Sequence, residues 1–421
     1  MFCGSCMHDN ALAKSLSEIG YDIQLVPTYT PIRTDEPDFS VDQVFFGGIN
    51  VYLQQKIPPL RWLPNFLDRF LDNPNLIRRV TSRTIDMPPE QLGKLAVSML
   101  KGMHGNQRKE VRRLCNWLAN DAKPDIIVFT NALIGGCIPE IKRRLAIPVL
   151  VTLQGDDVFL DSLPEKYRTQ CIAAIKSIAE QVDGFIVHSE FFRNYMCEYF
   201  KLPPDKIHVT PLGIDVEEFS VGERDTLITS KTIGYLARLA PEKGLHQLVD
   251  VFVALKQSGN FPDLKLRIAG WLGTQNESYA NENFQKIEAA GFGNDFEYIG
   301  SFEKSEKITF LHSIDLFSVP TVFKEPKGLY ALEAMACGIP IVQPSHGSFP
   351  ELIGQSQGGL LFEPDNMLDY QSTLEKLLND VELAQQLGSQ GQAYVHATRN
   401  SHSMGKATSR VIENFVLGSG Q

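Results

Sequence analysis

Short apolar, β-branched runs alternate with amphipathic helical stretches along nearly the whole chain, and this alternation restricts the fold more than any other feature. Strands that alternate with helices form parallel sheets with helices packed on their faces. The pattern predicts strands at residues 22–26, 126–129, 149–153, 184–187 and 207–210, then a second series at 232–236, 265–269, 296–299, 316–319 and 339–342. Thr210-Pro-Leu-Gly-Ile-Asp215 closes the first series, and the polar stretch 220–231 precedes the second. At 421 residues the chain suits two domains of roughly 200 residues each. We expect an α/β protein with two doubly wound domains, 1–218 and 219–398. A last helix over about 401–417 lies within the closing segment 399–421.

The first series has a defect. A doubly wound domain begins with a strand, then a glycine-bearing loop, then a helix. Here Met1-Phe-Cys-Gly-Ser-Cys6 already reads as the loop and residues 9–19 as the first helix. The opening strand is central in such a sheet, and its absence leaves neighbouring strands short of hydrogen-bond partners. The expectation is a start codon assigned too late, or a fragment; the N-terminal sequence of the native protein tests it.

Composition sets limits on function. No stretch approaches the ~18 uninterrupted apolar residues of a membrane span, and 43% of residues are apolar, enough for two sizeable cores. A net charge of −10 argues against general nucleic-acid binding, which needs basic surface. The seven cysteines (Cys3, Cys6, Cys115, Cys137, Cys171, Cys197 and Cys337) are odd in number and scattered, as expected of reduced thiols. Cys3-Gly-Ser-Cys6 has redox or metal spacing but lacks the second half of a zinc site, so no metal is expected. The N-terminus has no basic region followed by an apolar run, which points to the cytoplasm.

The chemistry concentrates in Glu325-Pro-Lys-Gly-Leu-Tyr-Ala-Leu-Glu333-Ala-Met-Ala-Cys-Gly-Ile-Pro340. Pro326 is tolerated only in a loop or the first turn of a helix, so Glu325 belongs to the loop and is free to point into a cleft. Gly328 opens the helix, with Glu333 about 7.5 Å further along the axis. Amides at such a start bind phosphate, and a glycine lets it come close. The segment reads as a ruler for a nucleoside diphosphate sugar: sugar at Glu325, diphosphate at Gly328 and Leu329, ribose at Glu333. The bland alternative is an ordinary loop acid and a surface helix residue. Further upstream, Gly234-Tyr-Leu-Ala-Arg238-Leu-Ala-Pro-Glu-Lys243-Gly244 carries two cations suited to a diphosphate leaving group, whose charge grows in the transition state.

Together these stretches resemble the E-x7-E and G-x-x-x-R-x-x-x-x-K-G elements of the family 4 retaining glycosyltransferases, which have the GT-B fold. The likeness spans most of the chain and is most specific from Gly234 to Gly359. It departs at Pro326-Lys327, where many members carry a hydrophobic or aromatic residue. The resemblance implies two Rossmann-like domains facing across a cleft, with the terminal helix crossing back to the N-terminal domain. It implies that Arg238 and Lys243 contact the donor phosphates and that Glu325 steadies the developing oxocarbenium charge. Gly270 and Gly300 stand in loops near the nucleotide, and the 345–351 loop completes the donor side; His346 reads as structural.

On the acceptor and sugar side the resemblance points to Gly4, Ser5, Asn131, Gln154 and Asp156, with His188-Ser189-Glu190 lining the same cleft. Many relatives have histidine where this chain has Gln154, an amide that cannot serve as a base. No obligatory cofactor is implied: Arg, Lys and a helix dipole would meet the phosphate charge, and Asp156-Asp157 need hold no Mg2+. The 57–71 segment, aromatic and broken by prolines, reads as an ordered excursion or as an acceptor- or membrane-docking insertion, and Gly47–Tyr52 as a loop near the acceptor.

The expected activity is transfer of a hexose from a nucleoside diphosphate sugar to a hydroxyl of a saccharide, a lipid-linked sugar or a small molecule, with retention. The alternatives are a sugar phosphorylase on the same fold and a catalytically silent binding protein. A dinucleotide oxidoreductase is disfavoured because no G-x-G-x-x-G follows the first strand of either domain.

Overall fold

The computed structural model describes residues 4–28, 88–217, 231–301 and 304–418, with 38–41, 44–46, Val51, Gln55 and Phe219 besides. The readings of Cys3, of the 57–71 insertion and of most of Gly47–Tyr52 and of the 220–231 linker fall outside these residues. The chain divides into two compact units. One is Pro211–Met404; the other takes in the chain before Pro211 and the segment from Gly405 onward.

The N-terminal unit holds a parallel sheet in the order β1 (Ile127–Phe129), β2 (Val149–Thr152), β3 (Gly184–Val187) and β4 (Ile207–Val209). Side chains alternate between the faces of a strand, and a sheet covered on both sides must be apolar on both. Val149, Val151, Phe185 and Val187 accordingly enter a large core with Ile138, Ile141, Ile175 and Phe192. Leu150 and Ile186 belong to a second core with Leu16 of the first helix, Gly4–Glu18, and Ile412 of the last, Ser401–Gly418. The closeness of that last helix explains Gly184: a β-carbon there would come within 2.7 Å of the Phe415 ring.

Two expectations for this unit need correction. Among the described residues, the strand predicted at 22–26 shows one bridge, Leu25 to Ser40, with a second just beyond it, Thr28 to Phe45, in place of a continuous ladder. Gly4, Ser5 and Cys6 are the first turn of a helix rather than a loop.

The C-terminal unit has a six-stranded parallel sheet in the order β10-β9-β8-β5-β6-β7, formed by Thr232–Leu236 (β5), Lys265–Ala269 (β6), Phe296–Gly300 (β7), Leu316–Ser318 (β8), Ile341–Pro344 (β9) and Gly359–Phe362 (β10). Chain direction through the sheet reverses between β5 and β8, and ligands of such sheets bind beyond the carboxyl ends at that switch point. β10 is absent from the predicted set, and β9 begins two residues later than expected. Gly338 takes a left-handed turn (φ +72°) and the Ile339 amide bonds back to the Ala334 carbonyl, so these residues finish the preceding helix instead of opening the strand.

Candidate functional site

The carboxyl ends of β5 and β8 carry the charged residues singled out above. After β5, the loop through Arg238 is laced to the loop after β6: the Ala237 amide donates to Ala269 and the Leu239 amide to Trp271. Gly270 has φ +135°, and a β-carbon on it would come within 1.8 Å of the Ala237 carbonyl oxygen, so only glycine fits. Its amide donates to Gly300 at 2.8 Å, joining the loop after β7 to the same set. Gly234 does otherwise. It lies inside β5, where a β-carbon would meet Ile314 at 2.3 Å, so its smallness serves the core.

Glu325 is in the loop, as its proline neighbour requires, but it is 5% exposed and held from every direction. Oε2 accepts from Lys243 Nζ at 2.7 Å and from the Tyr330 hydroxyl at 3.1 Å. Oε1 accepts from the Lys327 and Gly328 amides at 3.3 Å each. The free loop acid and the open Gly328 amide of the sequence reading are thus engaged with each other. The physical reason is that a buried carboxylate must be matched by donors. Burial pushes the Glu325 carboxyl up, but the Lys243 charge and hydrogen bond, the Gly328 amide and the Lys327 charge outweigh it and hold it below the ordinary carboxylate range. The Lys243 ammonium also lies over two rings, 4.6 Å from the Phe323 centroid and 5.1 Å from that of Tyr330. Burial, then Glu325, push the Tyr330 hydroxyl well up, so it stays a donor.

The helix Leu329–Ala336 starts from Gly328 in the left-handed region (φ +66°). Of the predicted 345–351 loop, residues 349–351 already belong to the helix Phe349–Ser356; before it, the Ser348 amide donates to the Glu325 carbonyl at 2.8 Å, and Gly347 leaves room for the Glu325 backbone. Glu333 is buried and pairs with Lys307 at 2.8 Å. Arg238 bonds Glu242 four residues on and remains well exposed. Lys307, Tyr330 and Phe323 escaped the sequence reading. Tyr330 lies one turn beyond Glu325 and was open to a helical reading, whereas nothing local ties Lys307 to Glu333.

In the N-terminal unit the acceptor-side residues divide. Asp156 clamps two backbone amides, Ala132 at 2.7 Å and Gln154 at 3.1 Å, and Asn131 caps the turn Ala132–Cys137 through the Ile134 amide. Ser189 caps the helix Glu190–Phe200, and Glu190 pairs with Arg193 on the surface. These are structural uses of polar side chains at strand ends. Gln154 donates both to Asp9 at 2.8 Å and to the Thr130 carbonyl at 3.1 Å. His8 Nδ1 lies 3.0 Å from the same Asp9 oxygen, and the His8 and His188 rings approach to 4.4 Å. The sequence reading passed over His8 and Asp9, which look like ordinary helix residues until the fold sets them against Gln154. Asp157 has a buried oxygen with no hydrogen-bond partner, and burial pushes its pKa up to about 7. Among the described residues no group of three or more His, Cys, Asp or Glu is placed to hold a metal ion, and no helix is long and apolar enough to cross a membrane.

Comparison with known proteins agrees with this layout. The family model of the glycosyl transferases group 1 matches residues 223–394, and that of Glycosyltransferase Family 4 matches residues 95–218. The chain is 24% identical over 289 residues to a GDP-mannose-dependent monoacylated alpha-(1-6)-phosphatidylinositol monomannoside mannosyltransferase of Corynebacterium glutamicum, covering 65% of this chain and 72% of that one. It is 26% identical over 235 residues to a D-inositol 3-phosphate glycosyltransferase of Stackebrandtia nassauensis, covering 52% of this chain and 51% of the relative, so it spans about half of that protein's length.

Among solved structures, sucrose-phosphate synthase from Thermosynechococcus elongatus is similar with a TM-score of 0.68 and 18% identity, covering 97% of this chain and 92% of that one. Anabaena HepE in complex with UDP-glucose is similar with a TM-score of 0.64 and 17% identity, covering 93% and 99%. The fold is GT-B, and with the group 1 and Family 4 models together matching most of the chain, it belongs to the family 4, group 1 glycosyltransferases.

Proposed function

We propose that this protein transfers a hexose from a nucleoside diphosphate sugar to a hydroxyl acceptor, with retention of configuration. The observation that carries the reading is the Lys243–Glu325 pair at the switch point of the C-terminal sheet, beside the helix start at Gly328 and Leu329 and within the loops of Arg238, Gly270 and Gly300. A donor sugar beside Glu325 meets a carboxylate kept ionised, which suits a reaction centre that gains positive charge. In this reading, Arg238, Lys243 and the first helical amides offset the charge growing on the departing diphosphate, with no obligatory metal or cofactor. Lys243 then has two anionic partners, and exchange between Glu325 and phosphate couples donor arrival to the freeing of the carboxylate. Glu333 serves the ribose, with Lys307 holding its carboxylate in place.

The relatives support a nucleotide-sugar donor: one is named as GDP-mannose-dependent, and one solved neighbour holds UDP-glucose. The test is a thermal shift against UDP, GDP and ADP and their glucose, mannose and N-acetylglucosamine conjugates. A nucleotide at ~100 times its dissociation constant stabilises the fold by about 2.7 kcal/mol. A shift with one base, followed by release of that nucleoside diphosphate when sugar is transferred, supports the reading; no shift with any overturns it. Release of a sugar phosphate instead would identify a phosphorylase.

A further inference from the structure

The N-terminal unit contains a second polar cluster with a different chemistry. Thr130, Gln154, His188 and Thr210 stand just beyond the carboxyl ends of β1, β2, β3 and β4, and the first helix brings His8 and Asp9 against them. His8 is 2% exposed, and its Nε2 has no hydrogen-bond partner. The Thr210 hydroxyl is likewise buried without one. Leaving a buried polar atom unmatched costs about 1–3 kcal/mol, and a fold that keeps such atoms together at strand ends has placed them for something.

The hydrogen bonds decide what that something is. A carboxylate oxygen accepts, so Asp9 draws the His8 proton to Nδ1, and in that tautomer the ring offers Nε2 as a lone-pair acceptor. The Thr210 carbonyl sets the same tautomer on His188 through its Nδ1, at 3.2 Å. Gln154 commits its Nε2 amino group to Asp9 and Thr130, so it steadies the carboxylate that orients His8. A site that presents an imidazole acceptor suits a ligand that donates hydrogen bonds; with the proton on Nδ1, an anion such as phosphate would find no donor at His8 Nε2.

We propose that His8 Nε2 receives the hydrogen bond of a hydroxyl on a polyol or saccharide acceptor, with Asp9 and Gln154 as positioning residues. The proposal rests on the glycosyltransferase reading for the word acceptor, but the hydroxyl site stands on its own geometry.

The experiment uses the full chain labelled with 15N-histidine. The signal lost in His8→Gln assigns His8, and its nitrogen shifts report the tautomer. The expected result is a proton on Nδ1 and movement of the Nε2 signal on adding myo-inositol, methyl α-mannoside or glycerol, while His246 of the other unit stays still. Asp9→Ala, which removes the acceptor shared by His8 Nδ1 and the Gln154 amino group, is expected to release the proton from Nδ1 and weaken the response at least tenfold with the fold intact. A wild-type proton on Nε2, or no response to any of the three polyols, overturns the proposal. Where transfer is measurable, His8→Ala should lower kcat/KM for the acceptor about 10- to 100-fold with donor KM unchanged, and His8→Gln, whose amide oxygen reaches near the Nε2 position, should recover part of it. Nucleotide thermal shifts on the same variants separate the two claims. Their absence in the wild type defeats the glycosyltransferase reading and leaves the polyol response to decide the hydroxyl site.

Discussion

The carboxyl ends of the two sheets carry opposite kinds of polar chemistry. Beyond β5 and β8 the C-terminal unit has ion pairs: Lys243 with Glu325, Lys307 with Glu333, and Arg238 with Glu242. At the corresponding ends of β1–β4 the N-terminal unit has imidazole, amide and hydroxyl groups, and its carboxylates Asp9 and Asp156 are held by an imidazole, an amide side chain and backbone amides rather than by lysine. Under the proposed function this difference follows the substrates. A diphosphate leaving group is met by cations, which need carboxylates to keep them soluble in a buried site, whereas a hydroxyl is met by neutral hydrogen-bonding groups. The same fold unit is used twice, and what differs is which side chains follow the strands.

Removing a charge from the C-terminal unit should produce the largest effect. Lys243→Ala leaves Glu325 buried among donors too weak to match it. The expected loss is about 3 kcal/mol of stability by denaturant titration at neutral pH, together with loss of the nucleotide thermal shift. A loss below ~1 kcal/mol would show that the pair is solvated in solution, and the contrast between the units would weaken. Glu325→Gln keeps the shape and removes the charge. Turnover should fall about 100-fold or more while nucleotide affinity changes less than tenfold, read from initial rates and calorimetry.

Acid sharpens the comparison because the two units respond with opposite sign. The Glu325 pKa is lowered by folding, so its contribution is complete above the ordinary carboxylate value and disappears as pH falls through that value toward its own. The Asp157 pKa is raised to about 7, so between the ordinary carboxylate value and about 7 the folded N-terminal unit holds an extra proton. That unit gains stability as pH falls across this window and loses it as pH rises. Hydrogen exchange followed by mass spectrometry, corrected for the intrinsic rate, should show protection around β2 rising from about pH 7.5 to pH 5, with protection around Leu329–Ala336 flat until below about pH 4.5. Parallel behaviour in the two segments would contradict the assigned charges.

Two smaller changes complete the series. Asp157→Asn removes the cost of ionising a buried carboxyl and should stabilise the protein by about 1–3 kcal/mol near pH 8, with no gain at about pH 5. Tyr330→Phe keeps the ring beside Lys243 but deletes one donor to Glu325. We expect roughly 1 kcal/mol of destabilisation and an upward shift in the acidic limb of the activity profile; an unmoved limb would show that the hydroxyl leaves the carboxylate's titration unchanged.

The strand–helix alternation was enough to foresee parallel sheets, because apolar runs buried on both faces can be satisfied in few other ways. Thr232–Leu236, Lys265–Ala269 and Gly184–Val187 fall where the pattern puts them. The charged stretch was equally legible: Pro326 forces Glu325 into a loop, and Gly328 takes the left-handed conformation that opens the helix. Partners were not legible. Lys243 and Glu325 lie 82 positions apart, Gln154 and Asp9 lie 145 apart, and no periodicity reports a contact across such distances. Gly234 shows the limit most plainly, since in sequence it opens the stretch that carries Arg238 and Lys243 and in space it makes room for Ile314. Local preferences depend on a residue and its near neighbours, so the sequence by itself determined the elements and the residue types available to each site. Burial and hydrogen bonding depend on what the rest of the chain brings alongside, so only the tertiary structure decided which acid holds which cation and which histidine stands against Asp9 and His188.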